Sequence, residues 1–334
     1  MKVIEHLVNG EIVSMGDPTQ DVFNPSTGEV SKQVSLATKT TVEKAITAAH
    51  DAFPAWRATP PLKRARIMFR FKELLEKNVN EIAQLIGEEH GKIAHDALGE
   101  VNRGIENVEY ACYAPELLKG EHSKNIGTDI DSWSEFQPLG VVAGITPFNF
   151  PAMVPLWMYP MAIVCGNCFV LKPSERDPSA ALFVAQLLYE AGLPKGVLNV
   201  VNGGKEAVDT LLTDERVQAV SFVGSTAIAK YVYITATEHD KRCQALGGAK
   251  NHAIVMQDAE MENTVNALIG AAFGSSGERC MAISVAVAVG SETADNLIAG
   301  LKSKMHNLKV GNFDDSNNDF GPLITKDHME KVKQ

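Results

Sequence analysis

The pattern of hydrophobic and polar positions changes three times along the chain. In the first 40 residues, short apolar runs alternate with turn residues, and Asn9-Gly10 between two such runs predicts a hairpin with a type I′ turn. Apolar residues at helical spacing follow, and a polar stretch over residues 121–135 then predicts an exposed hairpin or connector. The three predicted helical segments cover residues 41–59, 61 to about 90, and 95–118.

From residue 141 onward, apolar runs rich in β-branched residues alternate with helical segments. Continuous apolar strands joined by helices predict a doubly wound parallel sheet, and hence an α/β fold. The Gly-x-Gly-x-x-Gly fingerprint of a standard dinucleotide-binding loop is absent, so this architecture favours a nucleotide site only by analogy. The predicted strands cover residues 141–146, 168–172, 197–201 and 219–223, and the predicted helices residues 154–164, 179–191, 205–212 and 226–236.

Composition narrows the possible partners. The 334 residues carry a net charge of −10, which argues against a nucleic acid or an anionic membrane as partner. No secretory or transit signal opens the chain, and no apolar window reaches the ~18 residues of a membrane span. The one basic cluster is interpreted as the solvated side of an amphipathic helix. It comprises Lys63, Arg64, Arg66, Arg70 and Lys72.

The five cysteines are an odd number scattered through a long chain, which indicates reduced thiols in a cytoplasmic protein. Cys165 and Cys168 have the spacing of a redox motif but lie in an apolar run, which favours buried structural thiols. No paired Cys/His or His-Glu-x-x-His spacing indicates a metal site. A cysteine hydrolase is a competing class, but it needs a histidine base that nothing in the nine scattered histidines identifies.

Two strand ends offer candidate contacts for a nucleotide. Ser225 stands where a strand passes into a helix, so the free N–H groups of that helix could hold a pyrophosphate. Lys172 and Glu175 follow another strand and could bond ribose hydroxyls. Both features can also be interpreted without a nucleotide: Ser225 as an ordinary helix cap, and Lys172 to Glu175 as a turn at the end of a strand.

Five short motifs, taken together, resemble the aldehyde dehydrogenase superfamily, in its order and near its usual separations. The resemblance runs from about residue 7 to the end of the chain. The motifs are Pro-Phe-Asn-Phe-Pro at 147–151, Lys-Pro-Ser-Glu at 172–175, Phe-Val-Gly-Ser-Thr at 222–226, Leu-Gly-Gly-Ala-Lys at 246–250 and Gly-Glu-Arg-Cys at 277–280.

The resemblance implies a nucleophilic thiol at Cys280 that attacks an aldehyde, and an oxyanion site formed by the side-chain amide of Asn149 and the backbone N–H of Cys280. It also implies NAD as cofactor. Glu175 near the ribose favours NAD over NADP, whereas Arg176 could receive a 2′-phosphate. The implied cofactor contacts are Thr146, Phe148, Lys172, Glu175, Arg176, Ser225 and Gly247.

One departure from the superfamily pattern indicates which molecule accepts the acyl group. Where most hydrolytic members carry a glutamate, this chain has Leu246, or Ala245 in an alternative alignment. That glutamate activates the water that cleaves the thioester. Its absence predicts that coenzyme A, whose thiol ionises more readily than water, accepts the acyl group.

Residues 103–109, 249–252 and 277–280 specifically resemble the branch that oxidises methylmalonate or malonate semialdehyde to propionyl-CoA or acetyl-CoA with loss of CO₂. The substrate carboxylate calls for a cationic partner. Arg279, beside the nucleophile, and Arg103, on a helix that the branch places over the substrate tunnel, are the candidates. Another NAD-dependent aldehyde dehydrogenase, or an inactive NAD-binding fragment of one, remains the alternative.

The resemblance also implies how the chain is organised. Residues 1–119 and 141–245 are expected to form a Rossmann-like NAD-binding domain, residues 120–140 a connector hairpin used in oligomerisation, and residues 246–334 part of an α/β catalytic domain. Family members form homodimers or tetramers and run past this length. The chain is therefore expected to lack the end of the catalytic domain, which puts its own oligomerisation and activity in question.

Overall fold

The computed structural model describes residues 2–333. The N-terminal part consists of short strands, and the predicted hairpin is confirmed: Asn9 and Gly10 both have positive φ, 54° and 79°. Asparagine and glycine tolerate this left-handed backbone, which a type I′ turn requires at both central positions. The strands are β1 (Val3–Ile4), β2 (His6–Val8), β3 (Glu11–Val13), β4 (Thr19–Phe23) and β5 (Val30–Ser35).

The helical part contains more helices than the periodicity predicts. A single helix to about residue 90 is wrong, because the chain leaves the helical conformation at Asn78, which has φ −107° and ψ 13°. Its side-chain amide donates to the Leu74 carbonyl (2.7 Å) and so ends the first of the two helices. The helices are α1 (Lys39–Arg57), α2 (Pro61–Lys77), α3 (Val79–His90), α4 (Ala94–Cys112) and α5 (Ala114–Leu117).

The predicted doubly wound parallel sheet is confirmed. Five parallel strands lie in the order β12-β11-β8-β9-β10, and the hairpin β2–β3 extends the sheet antiparallel beside β10. Because β9 and β11 lie on opposite sides of β8, the order of connection reverses at β8. The strands are β8 (Val141–Ile145), β9 (Cys168–Lys172), β10 (Leu198–Val200), β11 (Val217–Val223) and β12 (Arg242–Leu246), and the helices α6 (Met153–Val164), α7 (Pro178–Glu190), α8 (Lys205–Thr213) and α9 (Thr226–Glu238).

One member of the basic cluster on α2 is not solvated. Arg64 is buried, and its Nε donates to the Val164 carbonyl at the end of α6 (2.7 Å). The guanidinium thus satisfies a carbonyl that has no partner within its own helix. The prediction of a wholly solvated basic side is therefore wrong at Arg64.

Within residues 2–333, three smaller sheets lie apart from the main one. In the first, β5 lies between β1, to which it is parallel, and β4, to which it is antiparallel. A hairpin, β6 (His122–Gly127) with β7 (Ile130–Trp133), matches the connector predicted over residues 121–135. After the main sheet a second parallel pair, β13–β14, packs with two helices. These later elements are β13 (Asn251–Val255), α10 (Met261–Phe273), a short 3₁₀ helix (Gly274–Gly277), β14 (Ile283–Ala288), α11 (Ser291–Met305) and α12 (Lys326–Lys333).

The buried hydrophobic residues around the main sheet and those around β13–β14 form separate clusters. The large cluster joins the main sheet to its helices, and a separate small cluster joins Val255, Val265, Leu268 and Leu297. All five cysteines are free thiols. Within residues 2–333, no helix combines the length and the apolar character needed to cross a membrane.

Candidate active site

A cleft of about 1010 Å³ opens at the carboxyl ends of the main-sheet strands. Its floor is the segment that leaves β8 at Thr146, and its sides come from the ends of β9, β11 and β12. In open α/β sheets, ligands bind where the strand order reverses, which here is at β8. The fold therefore concentrates the chain's polar strand-end residues in one place.

Ten of the eleven site residues predicted from the sequence line this cleft, and Arg103 is not among the lining residues. The ten come from five separate segments of the chain, so the fold brings together motifs that are far apart in sequence. They are Thr146, Phe148, Asn149, Lys172, Glu175, Arg176, Ser225, Gly247, Arg279 and Cys280.

Among the residues that line the cleft, Lys172 and Glu175 form a partly buried ion pair. The Lys172 ammonium donates to Glu175 Oε2 (3.0 Å) and to the Gly203 carbonyl (3.0 Å). Burial alone raises the pKa of Glu175, but the charge and hydrogen bond of Lys172 outweigh it and hold that pKa below its ordinary value. Glu175 is therefore ionised at neutral pH, ready to accept hydrogen bonds from hydroxyl groups.

The N-terminus of α9 also lines the cleft. Ser225 caps this helix, and its own side chain accepts no capping hydrogen bond, so the first N–H groups of α9 remain available to an anion. Gly247 passes so close to α9 that a Cβ at this position would lie 3.1 Å from the Thr226 Cα. Glycine therefore lets the two backbones approach each other beside the place where an anion would bind.

Cys280 also lines the cleft and is half-buried against the apolar side chains of Phe150, Met153 and Val154. The loop before it turns through three successive residues with positive φ: Ser275 (53°), Ser276 (54°) and Gly277 (76°). Two serines in this conformation cost energy, and such strain persists only where the surroundings enforce it.

Two hydrogen-bonding groups enforce the conformation of the Cys280 loop. The Ser275 N–H donates to Asp96 Oδ2 (3.1 Å). After the loop, the Asn251 side-chain amide donates to the Cys280 carbonyl (2.9 Å) and the Ala282 carbonyl (3.0 Å). The thiol is thus held in place by its backbone while the side chain remains in the cleft.

The two arginines predicted to bind a substrate carboxylate occupy different positions. Arg279 lines the cleft and pairs with Asp96 (Nη2 to Oδ2, 2.8 Å). Arg103 is exposed on α4, seven residues after Asp96 and therefore on the same face of that helix. Asp96 thus connects the helix that carries Arg103 to the loop that carries Arg279.

A cluster of titratable side chains at the Cys280 loop, in which Glu278 and His90 are buried and His328 is half-buried, was not assigned a role from the sequence. Glu278 Oε2 lies 3.6 Å from His90 Nε2, and Glu278 Oε1 lies 3.4 Å from His328 Nε2. Both ring nitrogens of His90 lack a hydrogen-bond partner. Burial raises the pKa of Glu278 to about 7 and holds the pKa of His90 well below its ordinary value. Only the position of Glu278 inside the Gly-Glu-Arg-Cys motif could have signalled this group.

Glu278→Gln is expected to change the pH dependence of stability. The pKa of Glu278 rises from an ordinary 4.5 to about 7 on folding, so its stabilising contribution is complete below pH 4.5 and is lost as the pH rises through 7. This difference corresponds to about 3 kcal/mol at most. Glutamine does not titrate, so the variant should gain stability relative to the parent between pH 5 and pH 8, measured by urea unfolding.

The matched control for that experiment is Glu330→Gln, at an exposed position on α12. Its free energy of unfolding is measured at the same two pH values. A difference between Glu278→Gln and the parent that is the same at pH 5 and pH 8 contradicts the raised pKa.

The fold and the cleft define a doubly wound α/β protein with a free cysteine thiol among the residues that line a cleft at the carboxyl edge of its sheet. More particularly, the chain belongs to the aldehyde dehydrogenase family, whose model matches residues 12–334.

Similar proteins are known both as sequences and as structures. A malonate-semialdehyde dehydrogenase of Pseudomonas aeruginosa is 63% identical over 332 residues, which are 99% of this chain and 67% of that protein. The crystal structure of a methylmalonate-semialdehyde dehydrogenase from Oceanimonas doudoroffii is 72% identical, with a TM-score of 0.98 over 99% of this chain and 68% of that one. A putative methylmalonate-semialdehyde dehydrogenase from Sinorhizobium meliloti, complexed with NAD, is 49% identical, with a TM-score of 0.98 over 100% of this chain and 68% of that one.

Proposed function

We propose that the protein is an NAD-dependent, CoA-acylating dehydrogenase that converts methylmalonate or malonate semialdehyde into propionyl-CoA or acetyl-CoA, with release of CO₂. The observation that carries this proposal is that Cys280, Asn149 and the Lys172–Glu175 pair all line one cleft. The names of the similar proteins from P. aeruginosa and O. doudoroffii support this substrate class.

In the proposed reaction, the protein supplies the nucleophile and the oxyanion donors, and the cofactor supplies the hydride acceptor. The Cys280 thiolate attacks the aldehyde carbon, and the oxyanion that forms accepts hydrogen bonds from the Asn149 amide and the Cys280 N–H. Bound NAD⁺ accepts the hydride, which leaves a thioester on Cys280. The Cys280 side chain packs against Phe150 and Val154, and these apolar neighbours shield one side of the thiol from solvent.

The residues of the cleft fit a dinucleotide. Glu175 is ionised and Lys172 is a donor, which suits the hydroxyls of a ribose, while the N-terminus of α9 suits a pyrophosphate. Arg176 stacks over the Phe148 ring (5.2 Å from the guanidinium carbon to the ring centroid). Because its guanidinium is already engaged with this ring and an ionised Glu175 repels a 2′-phosphate, NAD is preferred over NADP.

The side chains of the cleft also favour CoA over water as the acyl acceptor. Leu246 ends β12 with an apolar side chain, so this position supplies no general base. Among the described residues, the carboxylates that line the cleft are Glu175 and Glu278. The first is paired with Lys172, and the side chain of the second is only 2% exposed. A thiol nucleophile needs less activation than water does.

The test is an assay of NADH formation with malonate semialdehyde, with and without CoA. It is made on the 334-residue chain and on any longer reading frame that contains it. Acyl-CoA formation that requires CoA supports the proposal, and a carboxylic acid formed at full rate without CoA contradicts it. NAD⁺ binding without turnover in every form indicates a binding module rather than an enzyme, and oxidation of other aldehydes alone indicates a different dehydrogenase of the family.

We also propose that Arg103 and Arg279 recognise the substrate carboxylate. Arg103→Leu should raise KM for malonate semialdehyde by about 10-fold, the loss expected for one charged hydrogen bond, and leave KM for propanal unchanged. Arg66→Leu, at an exposed position on α2, is the control and should change neither value. An equal rise for both aldehydes in Arg103→Leu rules out this role.

We also propose the division into domains that the family resemblance implies. Residues 1–119 and 141–245 form the NAD-binding domain and residues 246–334 belong to the catalytic domain, in keeping with the two hydrophobic clusters. The exposed β6–β7 hairpin within residues 120–140 is proposed as a contact in a homo-oligomer. The five free thiols are in keeping with a cytoplasmic location.

A further inference from the structure

Lys92 and Glu100 form a buried ion pair beside the cleft, and neither is among the residues that line it. The two side chains are 1% and 0% exposed, and Lys92 Nζ lies 2.5 Å from Glu100 Oε2. Lys92 lies between α3 and α4, and Glu100 lies on α4. Desolvation of two charges can cost as much as their attraction returns, so such a pair is a poor source of stability by itself.

The remaining hydrogen bonds of the pair go to one backbone segment, residues 149–153. Lys92 Nζ donates to the Asn149 carbonyl (2.5 Å) and lies 3.9 Å from the centroid of the Phe150 ring. Glu100 Oε1 accepts from the N–H groups of Ala152 (2.9 Å) and Met153 (3.2 Å). The pair therefore holds this segment at both ends, with hydrogen bonds that are strengthened by charge.

The position of this contact matters because Asn149 bears the side chain assigned to the oxyanion site. Its carbonyl accepts a hydrogen bond from Lys92, which does not line the cleft, while Asn149 itself is one of the lining residues. An error of about 1 Å in the position of a catalytic group can cost 100-fold in rate. A buried charge that fixes the backbone of Asn149 therefore bears directly on the alignment of its amide.

We propose that Lys92 and Glu100 are positioning residues, which orient the Asn149 amide toward the oxyanion that forms at the carbon bonded to Cys280. This inference rests on the proposed function. Since neither side chain lines the cleft, both act through Asn149 rather than on the substrate. A purely structural pair, which only joins α4 to α6, makes a different prediction: its loss lowers stability and leaves the rate of the folded fraction unchanged.

The test is a double-mutant cycle with Lys92→Met and Asn149→Ala, measured as the single-turnover rate of NADH formation per folded molecule. Lys92→Met is expected to lower this rate by about 10- to 100-fold, with KM for the aldehyde and Kd for NAD⁺ within about 3-fold. In the Asn149→Ala background it should lower the rate by less than about 3-fold, because the group that it orients is already absent.

Lys241→Met is the matched control. Lys241 is also buried and also donates to backbone carbonyls, those of Asp214 (2.6 Å) and Val217 (2.8 Å), but it lies outside the cleft. It should lower the melting temperature and leave the rate per folded molecule unchanged. If Lys92→Met does not fold, Glu100→Gln is substituted, since it keeps an oxygen for the Ala152 N–H and breaks the ionic contact with Lys92.

The outcomes separate the two proposals. If Asn149→Ala alone keeps the full rate, the oxyanion assignment fails and this inference fails with it. If Asn149→Ala is slow but the effect of Lys92→Met multiplies with it, only the positioning role is overturned. A rate for Lys92→Met within about 3-fold of the parent overturns the positioning role as well.

Discussion

Cys280→Ala is expected to lower the rate of NADH formation by at least about 1000-fold, which is the order of loss seen when a covalent nucleophile is removed. Without the thiol, no hemithioacetal forms and the aldehyde presents no activated hydride. The Lys172–Glu175 pair and the N-terminus of α9 are unchanged by this substitution, so Kd for NAD⁺ should stay within about 3-fold. The measurements are stopped-flow absorbance for NADH and calorimetry for binding.

The matched control for the nucleophile is Cys243→Ser. Cys243 is also a half-buried free thiol, but it lies on β12 outside the cleft. Its substitution should leave NADH formation close to that of the parent. Activity that survives in Cys280→Ala and disappears in Cys243→Ser refutes the role of Cys280 as the nucleophile.

Much of the fold and the location of the site could be predicted because they depend on local pattern. Alternating apolar strands and helices predicted the parallel sheet, and the carboxyl ends of such strands meet at one edge. That geometry places Asn149, Glu175 and Ser225 in one cleft, although they are distant in sequence. Cys280 is different, because its environment was indicated by resemblance and not by any periodicity.

The burial of Arg64 and the contact made by Lys92 could not be predicted, because each depends on packing between distant segments of the chain. Arg64 has the spacing of a solvated charge, yet a carbonyl 100 residues away binds it. Lys92 likewise lies 57 residues from the Asn149 carbonyl that it contacts. A charged residue in a helical pattern favours a solvated position, and only tertiary packing shows where burial supplies a partner. The break at Asn78 was missed for a related reason, because one side-chain hydrogen bond ends a helix without changing its apolar spacing.

Asn149→Ala should lower the single-turnover rate by about 100- to 1000-fold, the range for removal of one oxyanion donor. KM for the aldehyde should change little, because the hydrogen bond is strong only once negative charge develops on the substrate oxygen. Asn149→Asp tests the same point with the side-chain size retained. It replaces the donor with an acceptor that repels the oxyanion, so it should be at least as slow as alanine.

The control for Asn149→Ala and Asn149→Asp is Asn263→Ala. Asn263 lies in the first turn of α10 and outside the cleft, so this variant should keep the parental rate. The pattern across the three variants is more informative than any single loss of rate. If Asn149 only shapes the turn after β8, aspartate should support that turn as well as asparagine does, since both side chains accept hydrogen bonds from nearby backbone. A fast Asn149→Asp therefore refutes the oxyanion role. A slow one, with KM unchanged, ties the amide to the negative charge that develops on the substrate oxygen when Cys280 attacks the aldehyde carbon.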